Sequence, residues 1–322
     1  MPFAFDAYVT DARFDRSGRA AFALGDGTVR WDDGASVQAH DGAVLCATAH
    51  PSGEGLITGG DDGRLVWSRP EGAQILAEAK GRWIDVVASS AASGLIAFAA
   101  GREVMVRDAG DPSFAGSLMH ERTVAGLDFD PKGRRLAAAT YGGAQLWYAR
   151  ISEQKPQLLK WAGSHVLVAF SPDGRFLVSA MQENELHGWR LADGSNMRMG
   201  GYPSKVKSLV FLDRGRLMAT AGAAGAVIWP FAGSSGPMGK QATEIGFQDG
   251  TVVTRVAALP ESSRIAAGLS DGRVWSADLG PGAIQFLKAE KGEPISALAM
   301  SPDGRRIAWG DEAGQAGIAE LA

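Results

Sequence analysis

"FSPDGRFLVSA" at residues 170–180 and "MSPDGRRIAWG" at residues 300–310 are nearly the same eleven residues written twice. Each has a polar Ser-Pro-Asp-Gly-Arg turn ahead of an apolar run, which reads as a β-hairpin. Proline presets the φ of an early turn position and glycine supplies a positive φ. One hairpin says little about a fold. A hairpin that returns on a regular schedule marks a chain assembled from repeats.

The hairpin does return. Related turns read "DRSGR", "HPSGE", "SAASG", "DPKGR", "LDRGR" and "PESSR". The marker positions are Gly18, Gly53, Gly94, Gly133, Gly174, Gly215, Ser263 and Gly304, spaced 35, 41, 39, 41, 41, 48 and 41 residues apart. Tryptophan confirms the register: Trp31, Trp67, Trp147, Trp189, Trp229 and Trp275 follow their markers by 13, 14, 14, 15, 14 and 12 residues. Val106 and Ile318 take that place in the third and eighth copies. A large apolar group ending the third strand packs one repeat on the next. Asp-Gly turns in "GDGTVRW", "DDGRLVW" and "SDGRVW" lead into it.

A unit of about 40 residues, an SPDGR-type turn and a Trp closing the third strand resemble WD40 repeat β-propellers, over essentially the whole chain. The best copy is the second, "AHDGAVLCATAHPSGEGLITGGDDGRLVWS", residues 39–68. There the resemblance implies that His40, Thr58, Asp61 (or its neighbour Asp62) and Trp67 form the family's structural hydrogen-bonding set. His120 and His165 keep the leading histidine in copies that lack the aspartate, and the Trp-Asp dipeptide survives as Trp31-Asp32. The expected fold is all-β: a single domain over residues 1–322, a closed propeller of about eight four-stranded blades, with seven as the alternative. The eighth copy runs out before an outer strand, and Pro2–Tyr8 is expected to supply it and close the last blade. The Gly/Ser/Pro-rich interval from Trp229 to Thr251 reads as a loose outer-edge insertion, with a partner-binding loop as the second reading.

Composition narrows the function. Hydrophobic residues make up 45% and charged residues 21%, ordinary for a soluble globular chain. A net charge of −4 argues against nucleic-acid binding through a broad basic field. The one cysteine, Cys46, excludes an intramolecular disulfide framework and a multi-Cys metal site, and its apolar setting makes it a core residue. The N-terminal Met-Pro-Phe-Ala-Phe-Asp-Ala-Tyr lacks a charged leader with an apolar core, and no apolar run reaches the roughly 18 residues of a bilayer span. A soluble, cytoplasmic monomer with no membrane partner is expected.

No chemistry-bearing motif stands out. The five histidines have no metal-ligand spacing, and nucleophile-elbow and phosphate-loop patterns are absent from the sequence. The carboxylates of "GGDDG" and "GDE" fall at turns. The expectation is therefore no catalytic residue, no metal and no cofactor.

In the family resembled, residues before the first strand and between the second and third strands line the top face. That scheme projects Arg82, Trp83, Arg122, Tyr141, Trp161, Tyr202 and Lys205 onto one arc, with Asp6, Asp41, Asp249 and Asp271 opposite. Arg, Trp and Tyr are the residue types enriched in binding hot spots. The expected function is a non-catalytic scaffold holding a protein or peptide partner, one with an acidic segment. The alternative is a propeller enzyme or small-ligand binder using the central channel. Small, apolar inner-strand residues such as those of Val44–Ala47, Val86–Ala88 and Ile295–Leu298 favour the scaffold.

Overall fold

The two Ser-Pro-Asp-Gly-Arg stretches close the same turn in the computed structural model, which describes residues 2–280 and 283–321. The Ser171 hydroxyl donates to Asp173 Oδ1 at 2.7 Å and accepts the Phe176 N–H at 3.0 Å, while the Arg175 N–H donates to Asp173 Oδ1 at 3.0 Å. Ser301, Asp303, Arg305 and Arg306 repeat these bonds at 2.5, 2.8 and 3.1 Å. Where aspartate replaces the serine, its carboxylate takes over: Asp130 Oδ1 accepts the N–H groups of Arg134 and Arg135. Gly174 and Gly304 lie at φ 69° and 70°, and the marker glycines 18, 53, 94, 133 and 215 share the left-handed region. A β-carbon is disfavoured there, so the glycine is required. Each hairpin is thus fixed locally.

Each hairpin then becomes the inner half of an antiparallel sheet. In the first copy Val9–Phe14 is innermost, followed outward by Ala20–Leu24, Thr28–Trp31 and Ser36–Gln38. Second strands such as Ala20–Leu24, Leu56–Gly60, Leu95–Ala100 and Phe176–Met181 are buried at every position. A neighbouring sheet covers both of their faces, which is why they read as continuous small and apolar runs rather than alternating ones. The core is accordingly spread around a ring. Trp31 packs with Leu56, Ile57 with Phe98, Leu95 with Trp147, Ala137 with Trp189, and Phe176 with Phe211. Trp275 packs with Leu212, Ile307 with Ala266, and Phe22 with Ala297. The architecture is an all-β propeller, and its only helical segment among the described residues is one 3-10 turn at Asp213–Gly215.

The blade count differs from the main expectation. Instead of eight separate four-stranded blades, the described strands form seven sheets, six of four strands and one of six; seven is the alternative number. The fourth and fifth copies share the six-stranded sheet. Its strands Arg135–Tyr148 and Gln157–Phe170 each run 14 residues. Arg135–Tyr148 pairs with Gly126–Phe129 along its first half and with Gln157–Phe170 along its second, the register shifting between Tyr141 and Gly143. Gln157–Phe170 continues into pairing with Phe176–Met181. The physical reason is local. No Asp-Gly turn separates the second and third strands of the fourth copy, and no proline interrupts Ala162–Ser164, so pairing runs on through both bends.

Pro2–Ala4 is the outer strand of the last sheet, antiparallel to Gln315–Glu320, with Phe3 opposite Ala316. The clasp covers an edge that would otherwise be an open template for pairing. The interval after Trp229 is not loose. Thr243–Ile245 supplies the outer strand of its sheet, Phe231 is fully buried, and Met238 packs into the cluster of Phe176 and Phe211.

Candidate interaction surface

The second copy builds a buried polar set beside the face opposite the hairpin turns. His40 is buried, with Nε2 2.9 Å from Thr58 Oγ1 and Nδ1 2.9 Å from Asp62 Oδ1. Gly60 makes room for the ring, since a β-carbon there would lie 2.4 Å from His40 Nδ1. Burial alone would push the Asp62 carboxyl up, but bonds from His40 and from the N–H groups of Arg64 and Asp41 outweigh it and hold it low. The carboxylate of the set is therefore Asp62, and Asp61 is exposed. Trp67 stands apart. Its indole N–H donates to the Glu54 carbonyl at 2.7 Å, and its ring is sandwiched between His50 and Arg69.

Other copies keep fragments of this set. The Trp147 indole N–H donates to His120 Nε2 at 3.0 Å, and His165 Nδ1 lies 2.7 Å from Ser179 Oγ. In the sixth copy Tyr202 takes the histidine's place. Its hydroxyl is 2.7 Å from Thr220 Oγ1 and accepts the Trp229 indole N–H at 2.6 Å; burial pushes its pKa up to about 12. Tyr202 is thus an interior residue and not part of an exposed arc. A sequence signal existed: Tyr202 precedes Trp229 by 27 residues, as His120 precedes Trp147 and His40 precedes Trp67.

The rest of the arc is mixed. Trp83 and Tyr141 are 65% and 64% exposed, and Arg122 is exposed on the loop before Gly126–Phe129. Arg82 is tied to Glu103 at 2.9 Å and Lys205 is half-buried. Trp161 is half-buried, stacked on His187 with centroids 3.9 Å apart. Burial of that imidazole lowers its pKa to about 4. Of the seven residues, the structure brings Tyr141 and Trp161 into one groove of about 610 Å³. Met119 and Leu158, 62% and 53% exposed, line the same groove, and neither was legible as a surface residue from its apolar type. Lys155, Lys160 and Glu121 supply the charges around it.

A second concavity, of about 530 Å³, lies between the inner strands. Ser296, Ala297 and Leu298 give it the small, apolar character expected of the inner strands, yet Asp11, Arg13, Lys207 and Arg255 from other segments also line it. No cluster of three or more His, Cys, Asp or Glu side chains suited to a metal ion occurs among the described residues. Cys46 is a free thiol whose pKa burial drives up. No helix among the described residues is long and apolar enough to cross a membrane.

Comparison with known proteins fits this geometry. Residues 33–67, which contain His40, Thr58, Asp62 and Trp67, match the WD40 family model, described as WD domain, G-beta repeat. No curated protein matches the chain. Among solved structures, the computationally designed Ika8 protein is 18% identical with a TM-score of 0.78, covering 99% of this chain and 98% of its own. The β-propeller domain of Myceliophteria thermophila Cps50 (Swd1) is 16% identical with a TM-score of 0.67, covering 87% and 97%. At these identities the two likenesses are likenesses of fold. With the ring of antiparallel sheets, these likenesses show a β-propeller fold in which residues 33–67 match a WD40 repeat.

Proposed function

We propose that the protein is a non-catalytic scaffold that holds a protein or peptide partner on the face carrying Trp83, Arg122, Tyr141 and Trp161. The observation that carries the reading is the groove in which Tyr141 and Trp161 meet the exposed side chains of Met119 and Leu158. Monomeric proteins seldom leave large apolar side chains clustered in water without a use for them. Propellers with WD40 repeats commonly serve as interaction scaffolds, which supports the same reading. Lys155 and Lys160 beside the groove, with Arg122 on the same face, suit an acidic segment flanking an apolar anchor residue. Tyr202 plays no direct part in this surface, and Arg82 contributes less than its exposure suggests because Glu103 already holds it.

The propeller-enzyme alternative would need a nucleophile, acid or base converging on the channel. The charged groups there are cations, with the one carboxylate bonded to Arg13, an arrangement suited to binding. The reading further takes the six-stranded sheet as two blade units, giving eight around the ring. The apolar cluster of Ala137, Leu146, Leu159 and Trp189 between the fourth and fifth copies supports this. It also takes the protein as a cytoplasmic monomer without cofactor or nucleic acid, in keeping with its free thiol and net charge of −4.

The test is site-specific photo-crosslinking in the native cell, with benzoylphenylalanine at Tyr141 and, as control, at Arg134 on the hairpin-turn face. One partner captured from Tyr141 and not from Arg134 is expected. Capture from Arg134 alone would reject the surface.

A further inference from the structure

We infer that the central channel is a binding site for a small anionic ligand, a phosphate or carboxylate carried on an apolar body, with Lys207 and Arg255 reading its charge. The inference stands independently of the partner surface. The cavity, about 530 Å³, falls within the range of roughly 300–1,000 Å³ typical of small-molecule sites.

The charges decide the class of ligand. Among the charged side chains lining the cavity, Arg13, Lys207 and Arg255 are cations and Asp11 is the single anion. Asp11 is already committed: its Oδ2 accepts Arg13 Nε and Nη2 at 3.2 and 2.9 Å. Lys207 and Arg255 have no carboxylate within 4.0 Å among the described residues, and the Arg255 side chain bonds the neighbouring Thr254 carbonyl through one nitrogen. Most of that guanidinium fork stays open, and a planar fork suits the two oxygens of a carboxylate or phosphate. Inside a chain of net charge −4, unpaired cations in a concave wall focus a local positive potential.

The remaining wall decides what the anion is attached to. Leu167, Leu209, Val210 and Leu298 are apolar. The hydroxyls near them are engaged by backbone: Ser208 bonds both the N–H and the carbonyl of Val256, Ser296 the carbonyl of Val9, and Thr10 the carbonyl of Val44. An incoming ligand meets cations and hydrocarbon, not a lattice of free hydroxyls. That combination fits an anion on an apolar body better than a sugar.

Phenyl phosphate is the probe, titrated into the full chain by calorimetry and followed in parallel by thermal melting. Saturable one-to-one binding is expected, weakening as salt rises, with a raised Tm because the ligand binds only the folded ring. Arg255→Met and Lys207→Met should each weaken it at least tenfold, while Arg305→Met on the hairpin-turn face leaves it unchanged. Arg255→Lys keeps the charge without the fork and should recover part of the affinity, which separates charge reading from damage to the fold. Benzyl alcohol should not bind. Absence of saturable binding to the native chain, or unchanged affinity in both channel variants, overturns the site. Inorganic phosphate binding as tightly as phenyl phosphate overturns the apolar half of the ligand assignment.

Discussion

The Ser296 hydroxyl donates to the carbonyl of Val9 at 2.7 Å, joining the last inner strand to the first across 287 positions of the chain. It is one member of a belt around the channel. Thr10 reaches the Val44 carbonyl at 3.0 Å, Ser89 that of Ala49 at 2.7 Å and Thr254 that of Ile295 at 2.7 Å. Each link ties one inner strand to its neighbour through a side chain, because strands of different sheets share no ladder hydrogen bonds. Ser296→Ala should leave the Val9 carbonyl without this donor and lower unfolding free energy by about 1–2 kcal/mol in urea titration. Removing residues 2–4, which strips the outer strand from the last sheet, should cost clearly more. A deletion that leaves the urea midpoint unchanged would show that the clasp carries no stability.

Asp128 is the acidic link of the same belt, accepting the Phe170 N–H at 2.7 Å, and burial pushes its carboxyl up to about 7. The unfolded chain ionises this group near its ordinary value, so between that value and 7 the folded state retains a proton that the unfolded state has released. Its stabilising contribution is complete in acid and is lost as the pH rises through 7. Asp128→Asn keeps an oxygen for Phe170 and never ionises. Its gain in stability over the parent should be near zero at pH 4 and on the order of 2–4 kcal/mol at pH 8, at about 1.4 kcal/mol per pKa unit. A gain independent of pH would contradict the assignment.

Trp147 and Trp189 lie between consecutive copies, 6% and 1% exposed, whereas Trp161 is half-buried against His187. Truncating either of the first two to alanine should cost about 3–5 kcal/mol, the usual range for a buried aromatic. Trp161→Ala should cost about half that or less. Guanidinium unfolding of the three variants checks the order, and equal losses would place Trp161 in the core.

Asp62→Ala removes the carboxylate from His40 and should destabilise by about 1.5–3 kcal/mol, the scale of a hydrogen bond to a charged group. Asp61→Ala, at an exposed position, should stay within about 0.5 kcal/mol. Thermal melts of the two neighbours give a direct comparison.

The legible and illegible parts of this molecule divide by range. The hairpins were readable because Ser171, Asp173 and Gly174 settle their turn within six residues, and the tryptophan register followed from the same period. The shared sheet was not, since pairing across Tyr141 and Ser164 is decided by two strands continuing where turns were expected. Asp61 and Asp62 are adjacent carboxylates, and only the geometry around His40 separates them. Tyr202 looked like a surface aromatic because residue type does not report burial. Arg13 and Arg255 were hidden by backbone irregularities between Val9 and Asp11 and between Val253 and Arg255, which break simple in–out alternation, while Lys207 lies just before its strand.

The scaffold reading is tested most directly by the rate constants for the partner captured at Tyr141, measured on the parent protein and single variants. Tyr141→Ala and Trp161→Ala should speed dissociation at least tenfold with little change in association, as loss of a buried anchor does. Arg122→Glu should slow association, most at low salt. Arg134→Glu, on the hairpin-turn face, should leave both rates unchanged. Binding abolished by Arg134→Glu and intact in the other three variants would contradict the account, and the working surface would be the opposite face of the ring.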